Sequence, residues 1–226
     1  MKDYYLYLIW QDPNSRRNFT VGKLTHNEKY IFAYVPEAKE AKKFGWEYLK
    51  AFPENKEYIS DTLFPAFSSR LPDRKRRDIG TILKKYSLDS YDDFELLRRS
   101  GAKLPIDTYR FIDPIFPEDE SIQRDFFIMG VHYYVDCANE SYKYLQSLVG
   151  KYLSLIPEPE NEHDPNAIYI ADGNGKKIGY VPRYYSTAIL NRINAKFTYS
   201  CVVTEVNQAK SCSECVKVRL NIPSII

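Results

Sequence analysis

Gly130-Val-His-Tyr-Tyr134, Glu158-Pro-Glu-Asn-Glu-His-Asp-Pro-Asn-Ala-Ile168 and Ile178-Gly-Tyr-Val-Pro-Arg183 are three short islands rich in aromatic, amide and charged side chains. The end of a nucleic-acid strand offers an unstacked base, a sugar hydroxyl and the nearest phosphates, and the islands hold a group for each. Tyr133 or Tyr134 can stack on a base, an interaction worth roughly 1–3 kcal/mol. Asp164 can accept a hydrogen bond from a sugar hydroxyl, and Arg183 is a candidate phosphate ligand. His132, Asn161, His163 and Tyr180 share the islands and complete the candidate set. Other roles compete. Tyr133 can pack inside a barrel, Asp164 can close an Asx turn before Pro165, and Asn166 reads as structural.

Catalytic chemistry finds less support. His132 and His163 are far apart and lack the helical spacing of a metal-binding pair. No GxxxxGK[ST] loop occurs, and no cluster of acids and lysine suits metal-assisted phosphodiester cleavage. Cys212 and Cys215 form a CxxC pair, with Cys137 and Cys201 elsewhere. Structural zinc sites usually need two clustered pairs, so the cysteines read as incidental to a hairpin turn. The expectation is a non-enzyme with no catalytic residue, metal or cofactor.

Composition narrows the possibilities further. Lys and Arg total 32 against 30 acids, a net charge of +2. That near balance argues against a broad basic face, so DNA contact would rest on a few local groups. Tyrosine occurs 20 times, and its amphipathic ring suits thin cores and recognition surfaces. No stretch approaches the roughly 20 apolar residues of a membrane span. A cytoplasmic location and no membrane partner are expected, and reduced thiols fit that compartment.

The elements that must position these groups divide into two segments. Asp113–Asp125 carries two prolines and a run of acids, so it reads as a boundary. The expected domains are 1–113, an acidic linker over 114–125, and 126–226. In the first, Tyr4–Trp10, Phe19–Leu24 and Lys29–Val35 read as strands. Ala38, Ala41, Phe44 and Tyr48 have near-helical spacing. Asp73 is a plausible N-cap for a helix carrying Ile79, Ile82, Leu83 and Tyr86. Ser90 with Asp93 approximates a capping box, and Gly101 suits a helix C-terminus. This gives a small sheet with three helices. In the second, Asn139 caps a helix ended by Gly150. Tyr152–Ile156, Ala167–Ala171 and Lys177–Val181 read as strands around an Asp172-Gly-Asn-Gly175 turn. Ala188, Ile189 and Ile193 suggest a helix, and Phe197–Val206 with Val216–Ile222 a closing hairpin.

The order and spacing of the three islands resemble the HIRAN domain. That resemblance implies a small β-barrel gripping an exposed DNA end, typically a single-stranded 3′ end, with a carboxylate in the Asn161–Asp164 stretch meeting the terminal hydroxyl. This chain departs from the pattern at His132, where a relative carries arginine, and at Tyr180, where it carries histidine. A mostly neutral histidine attracts phosphate less than arginine does.

The first segment has a second resemblance. Tyr30-Ile-Phe-Ala-Tyr34, Leu63-Phe-Pro-Ala-Phe67 with Arg70-Leu-Pro72, Asp93-Phe-Glu-Leu-Leu97 and Gly101 look like the N-terminal subdomain of HipA-type kinases. The likeness covers roughly Tyr4–Ile112 and implies an accessory portion that packs against a kinase body, in some systems a separate antitoxin. Partners implied are a HipA-type kinase and its DNA-binding antitoxin. Trp46, Phe64 and Phe67 are the candidate docking residues, with Arg74, Arg76 and Arg77 as a charged rim. The competing roles are core packing for the aromatics and a solvated face for the arginines.

The reading is an α+β protein of two domains, a HipA-N-like domain followed by a HIRAN-like barrel with short helices. Its expected function is a non-enzymatic, antitoxin-like or regulatory partner of a bacterial HipA-type kinase whose barrel senses DNA ends. The alternative is a stand-alone DNA-end binder in repair, restriction or phage defence.

Overall fold

The computed structural model describes residues 4–105, 107–135, 139–208 and 214–224, and the chain divides into two compact units, Met1–Pro114 and Ile115–Ile226. Cys137 and Cys212 lie outside the described residues, and so does any role for the CxxC pair.

In the first unit, β1 (Tyr5–Gln11), β2 (Asn18–His26), β3 (Tyr30–Tyr34), β4 (Tyr58–Ser60) and β5 (Tyr109–Ile112) form an antiparallel sheet in the order β4-β3-β2-β1-β5. The alternation of strand side chains, reset by a bulge at Val21 in β2, puts Leu6, Leu8, Val21, Leu24 and Phe32 into one core. Phe32, Phe52, Phe67 and Phe111 meet there edge to face or tilted, with centroids 4.5–5.2 Å apart. Arg70 ties the unit together, donating to the Ala102 and Tyr109 carbonyls and to both oxygens of Asp107.

The helices are α1 (Ala38–Lys42), α2 (Pro65–Ser68), α3 (Ile79–Lys85) and α4 (Asp93–Ser100). Several differ from the sequence expectation. α1 stops at Lys42, short of Tyr48, because Gly45 takes a left-handed conformation. Asp73 caps no helix. α3 begins at Ile79, so Arg74–Arg77 lie in turns before it. Asp92, rather than Ser90, caps α4 by accepting from the Glu95 N–H at 2.8 Å. Gly101 does end α4, donating to the Leu97 carbonyl at 2.9 Å.

In the second unit, β6 (Ile122–Phe127), β7 (Ser154–Pro157), β8 (Ile168–Ala171), β9 (Lys177–Tyr180), β10 (Ser200–Val206) and β11 (Val216–Ile222) pair as two antiparallel sheets, β10-β11-β6 and β7-β8-β9. Short bridges join the sheets at both sides. Met129 and Tyr180 exchange backbone bonds of 2.9 and 2.8 Å. Tyr152 pairs with Val202, and Leu153 donates to Cys201 at 2.8 Å. The ring of pairings therefore closes into a small barrel around Ile128, Ile168, Ile170, Ile178, Val203, Val218 and Leu220, all buried. Gly179 permits the closure: a Cβ there would lie 2.4 Å from the Met129 carbonyl oxygen. α5 (Asn139–Ser147) and α6 (Arg183–Asn194) complete the unit.

Of the stretch 114–125, expected as an acidic linker, residues 115–125 are built into this unit. Ile115, Phe116 and Ile122 are buried, and Ile122–Asp125 open β6. Its acids have local work. Asp119 accepts from the Phe116 N–H at 3.0 Å, and buried Arg192 donates to the Phe116 and Asp119 carbonyls at 2.7 and 3.2 Å. Asp125 faces Arg219 across the β6–β11 pair, bonded at 2.7 and 2.9 Å. The acidic run thus marks a tight turn and a cross-strand ion pair.

Candidate nucleic-acid interface

The site begins where β6 ends. Ile128 is fully buried and Met129 closes the barrel, so the chain must leave the wall at Gly130, which sits at φ 69°. A 3-10 turn over Val131–Tyr133 follows. Val131 is buried and anchors it, which turns the neighbouring side chains outward. Tyr133 is 74% exposed and Tyr134 is 38% exposed. Of the competing roles for Tyr133, packing inside the barrel is not what the fold shows. The His132 ring leans on Tyr133 with centroids 3.9 Å apart, so this histidine braces an aromatic face.

The loop between β7 and β8 supplies the polar groups. Asn161 organises it: Oδ1 accepts from the His163 and Asp164 N–H groups at 3.0 and 3.1 Å. Its Nδ2 donates to Glu158 Oε2 at 2.6 Å and to the Tyr180 hydroxyl at 3.2 Å. Asp164 Oδ1 accepts from the Asn166 N–H at 2.9 Å, so the Asx turn forms. Oδ2 lies 4.0 Å from Arg183 Nε at the start of α6. One oxygen shapes the loop and the other faces the cation, so both readings of Asp164 are compatible. His163 is exposed at the loop tip.

The third part is a hydroxyl and ammonium network on β9. Tyr180 donates to Glu158 Oε2 at 2.7 Å, and its oxygen lies 3.2 Å from the Tyr134 hydroxyl. Lys177 Nζ donates to Glu158 Oε1 at 2.8 Å and to the Tyr180 oxygen at 2.6 Å. It also sits 4.9, 4.7 and 4.3 Å from the ring centroids of Tyr134, Tyr169 and Tyr180. Burial alone would raise the pKa of Glu158. Hydrogen bonds from Lys177, Asn161 and Tyr180, with the Lys177 charge, outweigh it and hold the carboxyl down at about 2. Burial pushes the Tyr180 hydroxyl up to about 12, with Lys177 opposing and Tyr134 and Glu158 adding. At neutral pH the network is therefore an ion pair bonded to a neutral tyrosine.

The fold brings Tyr134, Asn161, Asp164, Tyr180 and Arg183 into one connected group, with His132 and Tyr133 beside Tyr134. Lys177 and Glu158 were not among the sequence candidates. In a regular strand, residues three apart point to opposite faces. Ile170 pairs with Gly179 and Ala171 with Lys177, so β9 carries a bulge at Ile178 that turns Lys177 to the Tyr180 side. Among the described residues no group of His, Cys, Asp and Glu could hold a metal ion. No helix there is long and apolar enough to cross a membrane.

The docking residues expected in the first unit fare differently. Trp46 is 3% and Phe67 2% exposed, so both belong to the core and cannot form a free docking face. The Trp46 indole donates to the Tyr109 hydroxyl at 2.9 Å, and Phe67 packs on Phe32, Phe52 and Phe111. Phe64 is half-buried against Phe52 and Phe67. Their apolar rings suited an interface and a core equally, and the sheet claims them. The arginines remain outside: Arg74 pairs with Asp93 at 2.9 Å over the Tyr91 ring, Arg76 with Asp78 at 2.8 Å, and Arg77 is exposed.

Comparison with known proteins accords with this division. The HipA N-terminal domain model matches residues 16–105, and the HIRAN domain model matches residues 123–221. The chain thus joins a segment similar to the first to a segment similar to the second. The HIRAN domain of human HLTF is similar at 18% identity and a TM-score of 0.35, over 45% of this chain and 78% of that one. A protein from Lactobacillus plantarum, a structural genomics target, is similar at 23% and 0.37, over 45% of this chain and 94% of that one. No curated protein matches the chain.

Proposed function

We propose that the barrel grips the free end of a single DNA strand, and that the protein does so without catalysing a reaction. The observation that carries this is Tyr133, a large aromatic ring left 74% exposed next to Tyr134, whose hydroxyl leads through Tyr180 and Asn161 to Asp164 and Arg183, on a segment matching the HIRAN domain. An exposed ring supported by a neighbouring imidazole is a stacking platform for a base. Asp164 accepts the terminal hydroxyl, and Arg183 meets the adjoining phosphate. Comparison of linear with circular single strands of one sequence tests the reading, because only the linear strand has an end.

The first unit acts, in this reading, as a docking module for a HipA-type kinase, giving the protein an antitoxin-like or regulatory role. Its support is the match to the HipA N-terminal domain over residues 16–105. Docking uses the exposed Arg74, Arg76 and Arg77 edge, with half-buried Phe64 as the remaining apolar candidate. Co-migration of the full chain with such a kinase in gel filtration tests it. The burial of Trp46 and Phe67 favours a second reading, a stand-alone DNA-end binder in repair, restriction or phage defence.

A further inference from the structure

We propose that Lys177 binds a phosphate oxygen of the captured strand and that Glu158 sets how strongly it does so. The proposal rests on the end-binding reading above. An ammonium group has three donors. Glu158 Oε1 and the Tyr180 hydroxyl take two of them, at 2.8 and 2.6 Å. Those two bonds leave a third N–H for an incoming acceptor, and the side chain is partly open, at 23% exposed. The cation is already held among the rings of Tyr134, Tyr169 and Tyr180, and little rotamer freedom is left to lose on binding. It lies 4.9 Å from the Tyr134 ring, which puts the cation on the aromatic side of the site.

Glu158 gives this cation a built-in restraint. Both carboxylate oxygens are engaged, Oε1 by Lys177 and Oε2 by Asn161 and Tyr180. The carboxylate therefore acts on the strand through Lys177, neutralising part of the charge that the phosphate feels. Glu158 is a positioning residue, and it trades affinity for a fixed ammonium position.

The test is the salt dependence of binding by the full chain to a linear oligodeoxythymidylate with a 3′-hydroxyl. Each phosphate contact in a single strand contributes about 0.7 to the slope of log affinity against log salt. Lys177→Gln should weaken binding roughly tenfold, as loss of a charge-assisted hydrogen bond does. It should also make the slope shallower by about 0.7. Lys177→Arg should keep the slope, and Glu158→Gln should tighten binding. A Lys177→Gln slope equal to that of the unaltered protein would make Lys177 a structural strut and overturn the proposal, with end binding still standing. Glu158→Gln that binds no more tightly would remove the restraint. If the unaltered protein binds no linear strand, the end-binding reading falls first and takes this proposal with it.

Discussion

The Tyr180 hydroxyl donates to Glu158 Oε2 at 2.7 Å, linking the strand that closes the barrel to the loop that carries Asp164. The backbone of Tyr180 bonds Met129 while its side chain bonds Glu158, so barrel closure and site geometry depend on one residue. Tyr180→Phe removes the hydroxyl and leaves Glu158, Asn161 and Lys177 each short of one partner. The expected result is end binding reduced severalfold with the secondary structure unchanged by circular dichroism.

Tyr133→Ala should cost about 1–3 kcal/mol of strand binding, the value of one base-stacking contact. Stability should be unaffected, since the ring is 74% exposed. Fluorescence anisotropy and urea unfolding of the same variant separate the two quantities. A matching loss of stability would return Tyr133 to a packing role.

Asp164→Ala should weaken binding to a 3′-hydroxyl end roughly tenfold or more, and to a 3′-phosphate end by less. Asp164→Asn keeps an acceptor for the Asn166 N–H and so preserves the Asx turn. It should fall between the two. Equal losses for both end chemistries would show that Asp164 acts through the loop alone.

Gly179→Ala should destabilise the barrel by about 1–3 kcal/mol, the usual cost of forcing added volume into a packed position. The new Cβ would meet the Met129 carbonyl at 2.4 Å and Ile128 Cγ2 at 2.6 Å, and backbone on the barrel seam has little room to shift. The midpoint of urea unfolding measures this.

The Glu158 network has a defined pH dependence. Its carboxyl pKa is about 2 in the folded protein, below the roughly 4.3 of an unfolded glutamate. A depressed pKa contributes stability that is fully present above the unfolded value and is lost as pH falls toward the folded one. The stability difference between the protein and Glu158→Gln should be constant from neutral pH to about 5 and shrink as pH falls from about 4 toward 2. A difference that changes between pH 6 and 8 would place the titrating group elsewhere.

Local signals carried much of this architecture. Val216–Ile222 reads as a strand from its alternation, and β11 has those bounds. Gly101 marks the end of α4, and the Asp172-Gly-Asn-Gly175 turn joins β8 to β9. What escaped was set by distant partners. β6 looked like linker because Asp125 needs Arg219, far along the chain, to become a strand residue. Short β4 and β5 carry too few residues to show a period. Trp46 and Phe67 looked equally fit for core or interface until the sheet enclosed them. The site shows the same division. Tyr133, Tyr134, Asn161, Asp164, Tyr180 and Arg183 stand out by type and order, whereas Lys177 reaches them only through the bulge at Ile178.

The most direct measurement is the affinity of the full chain for a single DNA strand in linear and circular form, at one length and one salt concentration. The account predicts clear preference for the linear strand, and loss of that preference in Tyr133→Ala and Asp164→Ala. Equal affinity for line and circle would contradict it, because a site built around one exposed ring and one hydroxyl acceptor would then be reading the strand's middle.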